Sequence, residues 1–338
     1  MNLPTVKQLR YFVALESYEH FGRAAEACFV SQSAFSTAIR ELESTLEVQL
    51  VDRTNKNVTI THIGRQIAVE ARRCLRDIEG LVELARSNQQ PLTGELRVGV
   101  IPTVAPFLLP EIMPGLREAY PRLKLYLTED ITQRVYDKLM DGELDLIILA
   151  LPYALRNVEV EPLFQDRFFL ACRENSTHVT HEDGQFKSDD LAPESVLLLE
   201  DGHCLRDHTL AACHLQQDMD KISRFSASSL LTLVQMVDAD LGVSYLPEIV
   251  IGSPLLQGTQ VKLWPTGENS FRDIGLAWRR GSARTEEFHQ LGETIRQLQA
   301  QYGSYPLSPA ETDETSREKT GTGTDKPTEN GHPAPDVT

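Results

Sequence analysis

From Glu95 onward the chain alternates two periodicities, and that alternation narrows the fold more than any other feature. LRVGVI reads as a strand, LLPEIMPGLREAY as a helix, LKLYLTE as a strand, RVYDKLMDGE as a helix and LDLIILAL as a strand. Repeated strand and helix units predict an α/β sheet. The pattern continues through FFLACRE, VLLLED, FSASS, LLTLVQMVDADLG, VSYLP and IGLAWR. Roughly 200 residues is large for one sheet, so two α/β lobes with a cleft between them are expected. Ligands bind open sheets at strand carboxyl ends, which directs the loops after Ile101-Pro102-Thr103 and Leu127-Thr128 toward that cleft.

The chain before Glu95 follows a different rhythm. Residues 5–46 predict three short helices: Val6, Leu9, Phe12 and Val13 repeat at helical spacing, then Phe21, Ala24 and Ala25, then Phe35, Ile39, Leu42 and Leu46. Ser31 is placed to cap the third helix. The face opposite its apolar stripe carries Gln32, Ser33, Ser36, Thr37 and Arg40, side chains able to read base edges or hold phosphates in a major groove. The short turn Phe29-Val30 makes the second and third helices a helix-turn-helix. LVDRTNKNVTITHIG then reads as a hairpin wing bearing Arg53 and Lys56. A plain three-helix structural bundle has the same spacing, so two readings stand at this point.

Between Gly64 and Arg86 the positions Ile67, Ala71, Cys74, Ile78, Leu81 and Ala85 step alternately by four and three, a heptad seam fit to pair two chains. Cys74 on that seam is expected to pack rather than react. SNQQPLTGE breaks the helix as a linker. The predicted domains are therefore 1–62, a winged helix-turn-helix; 63–93, a linker and dimerisation helix; 94–302, a two-lobed effector domain; and 303–338, a disordered tail rich in Pro, Thr, Gly and Glu.

Composition excludes several classes. The formal charge of -16 argues against loose, whole-surface affinity for nucleic acid, so any DNA contact is local. No apolar run reaches the roughly 18 residues of a membrane helix and the N-terminus lacks a signal pattern, so a cytoplasmic protein without membrane contact is expected. The five cysteines, Cys28, Cys74, Cys172, Cys204 and Cys213, lack CxxC spacing and suggest neither a disulfide framework nor a metal site. Cys28 and Cys172 read as core residues. No cofactor motif and no GxSxG, HExxH or phosphate-loop pattern occurs, which disfavours an enzyme. What stands out is VLLLEDGHCLRDHTLAACHLQQ, where Cys204 and Cys213 lie nine positions apart with His203 and Arg206 flanking the first. Arg206, His203 and the start of a helix near Asp207 are groups that would stabilise a thiolate at Cys204.

HFGRAAEACFVSQSAFSTAIRELESTLEVQLVDRT resembles LysR-type transcriptional regulators over its whole length, and IPTVAPFLLP and LLLEDGHCLRDH are similar to the peroxide-sensing branch of that family. The likeness runs from about residue 5 to about residue 300. Ser33 stands where such regulators commonly have Pro, the wing is less basic than many, and the acidic tail is not a family feature. The resemblance implies an all-α winged helix-turn-helix followed by two α/β lobes like a periplasmic binding protein, assembled as a dimer or tetramer. It further implies double-stranded operator DNA, hydrogen peroxide, RNA polymerase and a cytosolic dithiol reductant as partners.

For the site, the resemblance implies that Cys204 reacts with peroxide and that Cys213 closes a disulfide. Thr103 and Thr132 would hold the peroxide oxygens beside His203 and Arg206, with Asp207 orienting them. If Asp207 to Gln216 is helical, the two cysteines are on the order of 13 Å apart. A disulfide tolerates Cα atoms no more than about 7 Å apart, so oxidation would refold the segment. The alternative within the family is a regulator that answers a non-redox small molecule, with the cysteines incidental. A thiol peroxidase using the same pair has no reason to present the face of Gln32 and Arg40.

Overall fold

The computed structural model describes residues 3–52, 58–87, 92–179, 191–213, 215, 218–267 and 269–302. Three helices open the chain, and each begins where a side chain satisfies the first free backbone N–H groups. Thr5 and Gln8 form a capping box for α1 (Val6–Tyr18). The His20 ring accepts from Gly22 and Arg23 at α2 (Phe21–Ala27), and Ser31 accepts from Ala34 at α3 (Gln32–Leu46). Phe29 makes the turn between α2 and α3 with φ of 56° and is exposed. Tyr11, Phe12, Leu15, Phe35, Ile39 and Leu42 form the core of this bundle.

One detail departs from the expected stripe of α1. Val6 is exposed and Val13 half-buried, while Tyr11 and Leu15 are buried. Tyr11 stacks on Phe35 with ring centroids 5.0 Å apart, and that contact rotates the helix so that 11, 12 and 15 face inward.

The wing forms as β1 (Val51–Asp52) paired antiparallel with β2 (Thr59–Ile60). Arg53 and Lys56 lie outside the described residues. The linker is α4 (His62–Ser87), which packs against α1. Ala71 is buried there, but Cys74, Ile78 and Leu81 are exposed within the single chain. The expected packing of Cys74 is therefore not made inside one chain. Arg72 pairs with Glu16 of α1 at 2.9 Å, while Arg73 and Arg76 donate to the carbonyls of Met140 and Gly142.

The effector part is two lobes that share one strand. β3 (Gly94–Val100), α5 (Ala105–Ala119), β4 (Leu123–Glu129), α6 (Thr132–Met140), β5 (Leu146–Leu151) and β6 (Val158–Arg173) follow in turn. β3 pairs in parallel with both β4 and β5. Val158 to Arg167 of β6 pair antiparallel with β11 (Phe271–Arg279), which also pairs with β5. Past that point β6 crosses into the second lobe. There Phe168 to Arg173 pair with β9 (Ser244–Pro247) and β10 (Val261–Pro265). β7 (Val196–Leu199) and β8 (Ile222–Ala227) form a parallel pair joined to this lobe by a bridge from Val196 to Val243.

α7 (Cys204–Ala212) and α8 (Leu230–Asp238) complete the second lobe, and α9 (Thr285–Tyr302) packs on α5 and β6 of the first. The α/β lobes match the expected class. α7 begins at Cys204 rather than at Asp207, because His203 already holds the extended conformation of a capping residue. No described helix is long and apolar enough to cross a membrane.

The register of β11 on β6 shifts between Ile274 and Gly275. A Cβ at Gly275 would lie 2.9 Å from the Glu161 carbonyl oxygen and 2.8 Å from the Leu151 side chain. Gly275→Ala is expected to cost about 1–3 kcal/mol in urea denaturation, since the strand backbone at Glu161 does not give way freely. Unchanged stability would contradict this packing.

Candidate functional site: a buried thiol between two lobes

α7 is a poor helix by its own sequence. It has nine residues, below the length at which isolated helices hold, and His203 makes no side-chain bond at its cap. Tertiary contacts hold it instead. Cys204, Leu205, His208 and Thr209 form its buried face. His208 Nε2 lies 2.9 Å from the Pro152 carbonyl oxygen. A carbonyl only accepts, so Nε2 carries the proton and Nδ1, buried and unpartnered, presents a lone pair. Burial pulls the His208 pKa down and keeps the ring neutral near pH 7. At the far end, the Ser270 hydroxyl donates to the Ala212 carbonyl at 3.0 Å.

Cys204 is the first residue of α7 and 6% exposed. Burial pushes its thiol above the ordinary value, and three groups from the first lobe work against that shift. They are the Arg272 guanidinium of β11, the Thr132 hydroxyl at the start of α6, and the Ala150 N–H of β5. The charge of Asp207, exposed in the first turn of α7, opposes the thiolate. The Thr132 hydroxyl is 1% exposed and makes no conventional hydrogen bond, so its proximity to the sulfur is the interaction it has.

The arginine that faces the thiol is held rigidly. Arg272 and Asp166 of β6 are 0% and 1% exposed, with contacts of 2.9 Å from Nε and 2.8 Å from Nη2 to one carboxylate oxygen. The other oxygen accepts from the Ile249 N–H at 2.9 Å. Burial raises the Asp166 pKa, while Arg272 and the backbone N–H groups of Ile249 and Glu248 favour its carboxylate. Arg272 also donates through Nη1 to the Thr103 hydroxyl oxygen at 2.9 Å and through Nη2 to the Thr103 carbonyl at 3.1 Å. Thr103 Oγ1 thus accepts from a cation, which leaves its own proton free to donate.

The structure therefore gathers Cys204, Thr103 and Thr132 around Arg272, and places others elsewhere. Arg206 turns away to Asp201 at 3.1 Å and the Leu199 carbonyl at 3.4 Å. His203 is half-buried on the wall of the inter-lobe cleft, and Asp207 faces outward. Arg272, Asp166 and His208 were not singled out from the sequence. A signal was present: Arg272 alternates with Ile274 and Leu276 on one strand face, and Asp166 with Phe168 and Leu170, so opposite charges sit on apolar stripes.

Cys213 caps the carboxyl end of α7. Burial alone raises its thiol, with no cation opposing the shift. Both cysteines are free. At the other end of the chain, Gln32, Ser33, Thr37 and Arg40 of α3 are exposed and Ser36 is half-buried. Thr37 donates to the Ser33 carbonyl at 3.0 Å, which ties that side chain to its own helix.

Residues 6–65 match the family described as bacterial regulatory helix-turn-helix protein, lysR family, and residues 89–300 match the LysR substrate binding domain. The chain is 37% identical over 299 residues to the HTH-type transcriptional regulator EstR of Acinetobacter baylyi, covering 88% of this chain and 98% of that protein. It is 38% identical over 291 residues to an Escherichia coli protein, covering 86% and 94%. That protein is named DNA-binding transcriptional dual regulator OxyR in strain K12 and hydrogen peroxide-inducible genes activator in strain CFT073. The fold of the present chain is similar to that of a full-length OxyR from Pseudomonas aeruginosa carrying a Cys-to-Asp substitution. The TM-score is 0.73 at 34% identity over 88% of this chain and 96% of that one. With both of its parts matched and relatives aligned over most of its length, the chain belongs to the LysR family of bacterial transcriptional regulators.

Proposed function

We propose that the chain is a hydrogen peroxide-responsive DNA-binding regulator, switched by a reversible Cys204–Cys213 disulfide. The observation that carries this reading is the pocket itself. A thiol sits beside a buried guanidinium and the Thr132 hydroxyl, the same guanidinium holds the Thr103 hydroxyl, and both hydroxyls have unused hydrogen-bonding capacity. Those are the groups a peroxide molecule needs on either oxygen. The likeness to a relative named for hydrogen peroxide induction supports the same reading.

The chemistry balances within the pocket. The Cys204 thiolate attacks one peroxide oxygen, an S–O bond forms and the O–O bond breaks, and the hydroxide that leaves takes up a proton to become water. The Cys213 thiolate then displaces hydroxide from the sulfenic acid, which departs as a second water. The two sulfurs have given up two electrons. A cytosolic dithiol returns them in resetting the switch.

Geometry converts this reaction into a shape change. Nine residues of helix separate the two cysteines by about 13 Å, and a disulfide requires about 7 Å or less between Cα atoms. Bond formation therefore unwinds α7, which withdraws Cys204 from Thr132 and His208 from Pro152. Thr132 begins α6, and the residues at the other end of α6 hold Arg73 and Arg76 of the linker helix. That path leads from the thiol to the DNA-binding unit. Pairing of α4 seams from two chains, with dimers joined into a tetramer, would set Gln32, Ser33, Ser36, Thr37, Arg40, Arg53 and Lys56 against two operator half-sites. RNA polymerase is the further partner of such a regulator.

A second reading, a regulator answering a non-redox ligand, is favoured by the apolar cleft beside the pocket. One variant separates the two. Cys204→Ser is expected to abolish the change that dilute hydrogen peroxide makes in the DNA footprint, while leaving the reduced footprint intact; a full response in that variant would establish the second reading.

Two further outcomes follow from the site. Because burial holds the Cys204 thiol above its ordinary value, the thiolate fraction still grows with pH through neutrality. The oxidation rate is expected to climb about tenfold per unit from roughly pH 6.5 to 8.5, and a plateau below pH 7 would contradict the account. On the DNA side, Gln32→Ala is expected to relax preference at one base position by about 1–3 kcal/mol in competition binding, and equal weakening on every sequence would show a phosphate contact instead.

A further inference from the structure

The cleft beside the thiol pocket is far larger than hydrogen peroxide requires. It encloses about 510 Å³, whereas a molecule the size of water occupies roughly 30 Å³. Its walls are mostly apolar, with Phe107 of α5, Leu230 and Leu231 of α8, and Leu255 facing one another across the lobes. Thr103, which belongs to the thiol site, and His203 also line the cleft. Thr103 is bonded to the arginine beside the sulfur, and His203 immediately precedes Cys204. A ligand with its body among the leucines thus has its polar end beside Thr103 and the residue that precedes Cys204. Glu129 on the same wall and the formal charge of -16 disfavour an anionic ligand.

We infer that this cleft receives the organic tail of an uncharged alkyl or aryl hydroperoxide and presents its –OOH group to Cys204, with the Thr103 hydroxyl donating to the peroxide. The inference rests on the reading of Cys204 as the peroxide-reactive thiol and names a further class of oxidant for it. The thiolate attacks the oxygen that bears hydrogen, an S–O bond forms, the O–O bond breaks, and the alkoxide leaves with a proton as the alcohol. Cys213 then displaces hydroxide from the sulfenic acid as before. One hydroperoxide and two thiols become one alcohol, one water and one disulfide.

The test compares disulfide formation in the reduced full-length protein with hydrogen peroxide and with cumene hydroperoxide, in wild type, Leu231→Gln and Phe107→Ser. Leu231 is 60% exposed, so its replacement leaves the core intact even if Phe107→Ser unfolds the lobe. Wild type is expected to react with cumene hydroperoxide at a rate within about threefold of hydrogen peroxide. Leu231→Gln is expected to slow cumene hydroperoxide about tenfold and hydrogen peroxide less than twofold, the discrimination typical of an apolar pocket. Reaction with hydrogen peroxide alone, or equal slowing of both oxidants in the variants, would overturn the inference and leave the peroxide reading standing. Failure of both oxidants to link the cysteines in wild type would remove that reading and this one together.

Discussion

The ion pair between Arg272 and Asp166 is the contact on which the rest of the effector part depends. Both side chains are buried, and between them they bind β11, β6, the loop before α5 and the turn at Ile249. Breaking such a pair by deleting one partner leaves an uncompensated charge in the interior, at a cost of about 3–5 kcal/mol. The pair also limits what the guanidinium does for the sulfur. Asp166 offsets much of the positive charge, so Arg272 opposes the effect of burial on Cys204 without cancelling it. The thiol is thereby kept mostly protonated in a dry site, with an oriented cation beside it.

Against that rigid frame, α7 is the element with little stability of its own. It is short, lacks a side-chain cap, and is held by the burial of four side chains, the bond from His208 to Pro152 and the bond from Ser270 to Ala212. A helix maintained by tertiary contacts is lost when one of them is chemically changed. The two cysteines occupy its first residue and its carboxyl cap, so the two sulfurs mark the ends of the segment whose collapse a disulfide would demand. Rigid surroundings and a weak helix together would make the transition discrete, and in the proposed function that discreteness is what would let a local oxidation bias a distant interface.

Much of this architecture was legible in the sequence because it is carried by local patterns. The strand and helix alternation after Glu95 announced two α/β lobes, Ser31 announced the start of α3, and a helix was expected from near Asp207, three residues after α7 begins. What was not legible depended on contacts between distant segments. The first half of β6 alternates strictly in VEVE, but Pro162 interrupts the run before Leu163, and a strand that serves two lobes has no local signature. Arg206 was the natural candidate to face Cys204 because it lies two positions on, yet helical geometry turns it to Asp201, and the cation that reaches the sulfur comes from β11. An arginine on an apolar strand face is a sequence signal for a buried charge, but its partner emerges only in the fold.

Hydrogen exchange read by mass spectrometry on the α7 peptide, before and after peroxide treatment, tests the central claim most directly. The account predicts that in the oxidised protein the peptides holding Cys204 and Cys213 are joined and that the amides of Cys204–Ala212 lose their protection, while those of β11 and β6 keep theirs. A joined pair with α7 still protected, or an oxidised protein without that linkage, would contradict it.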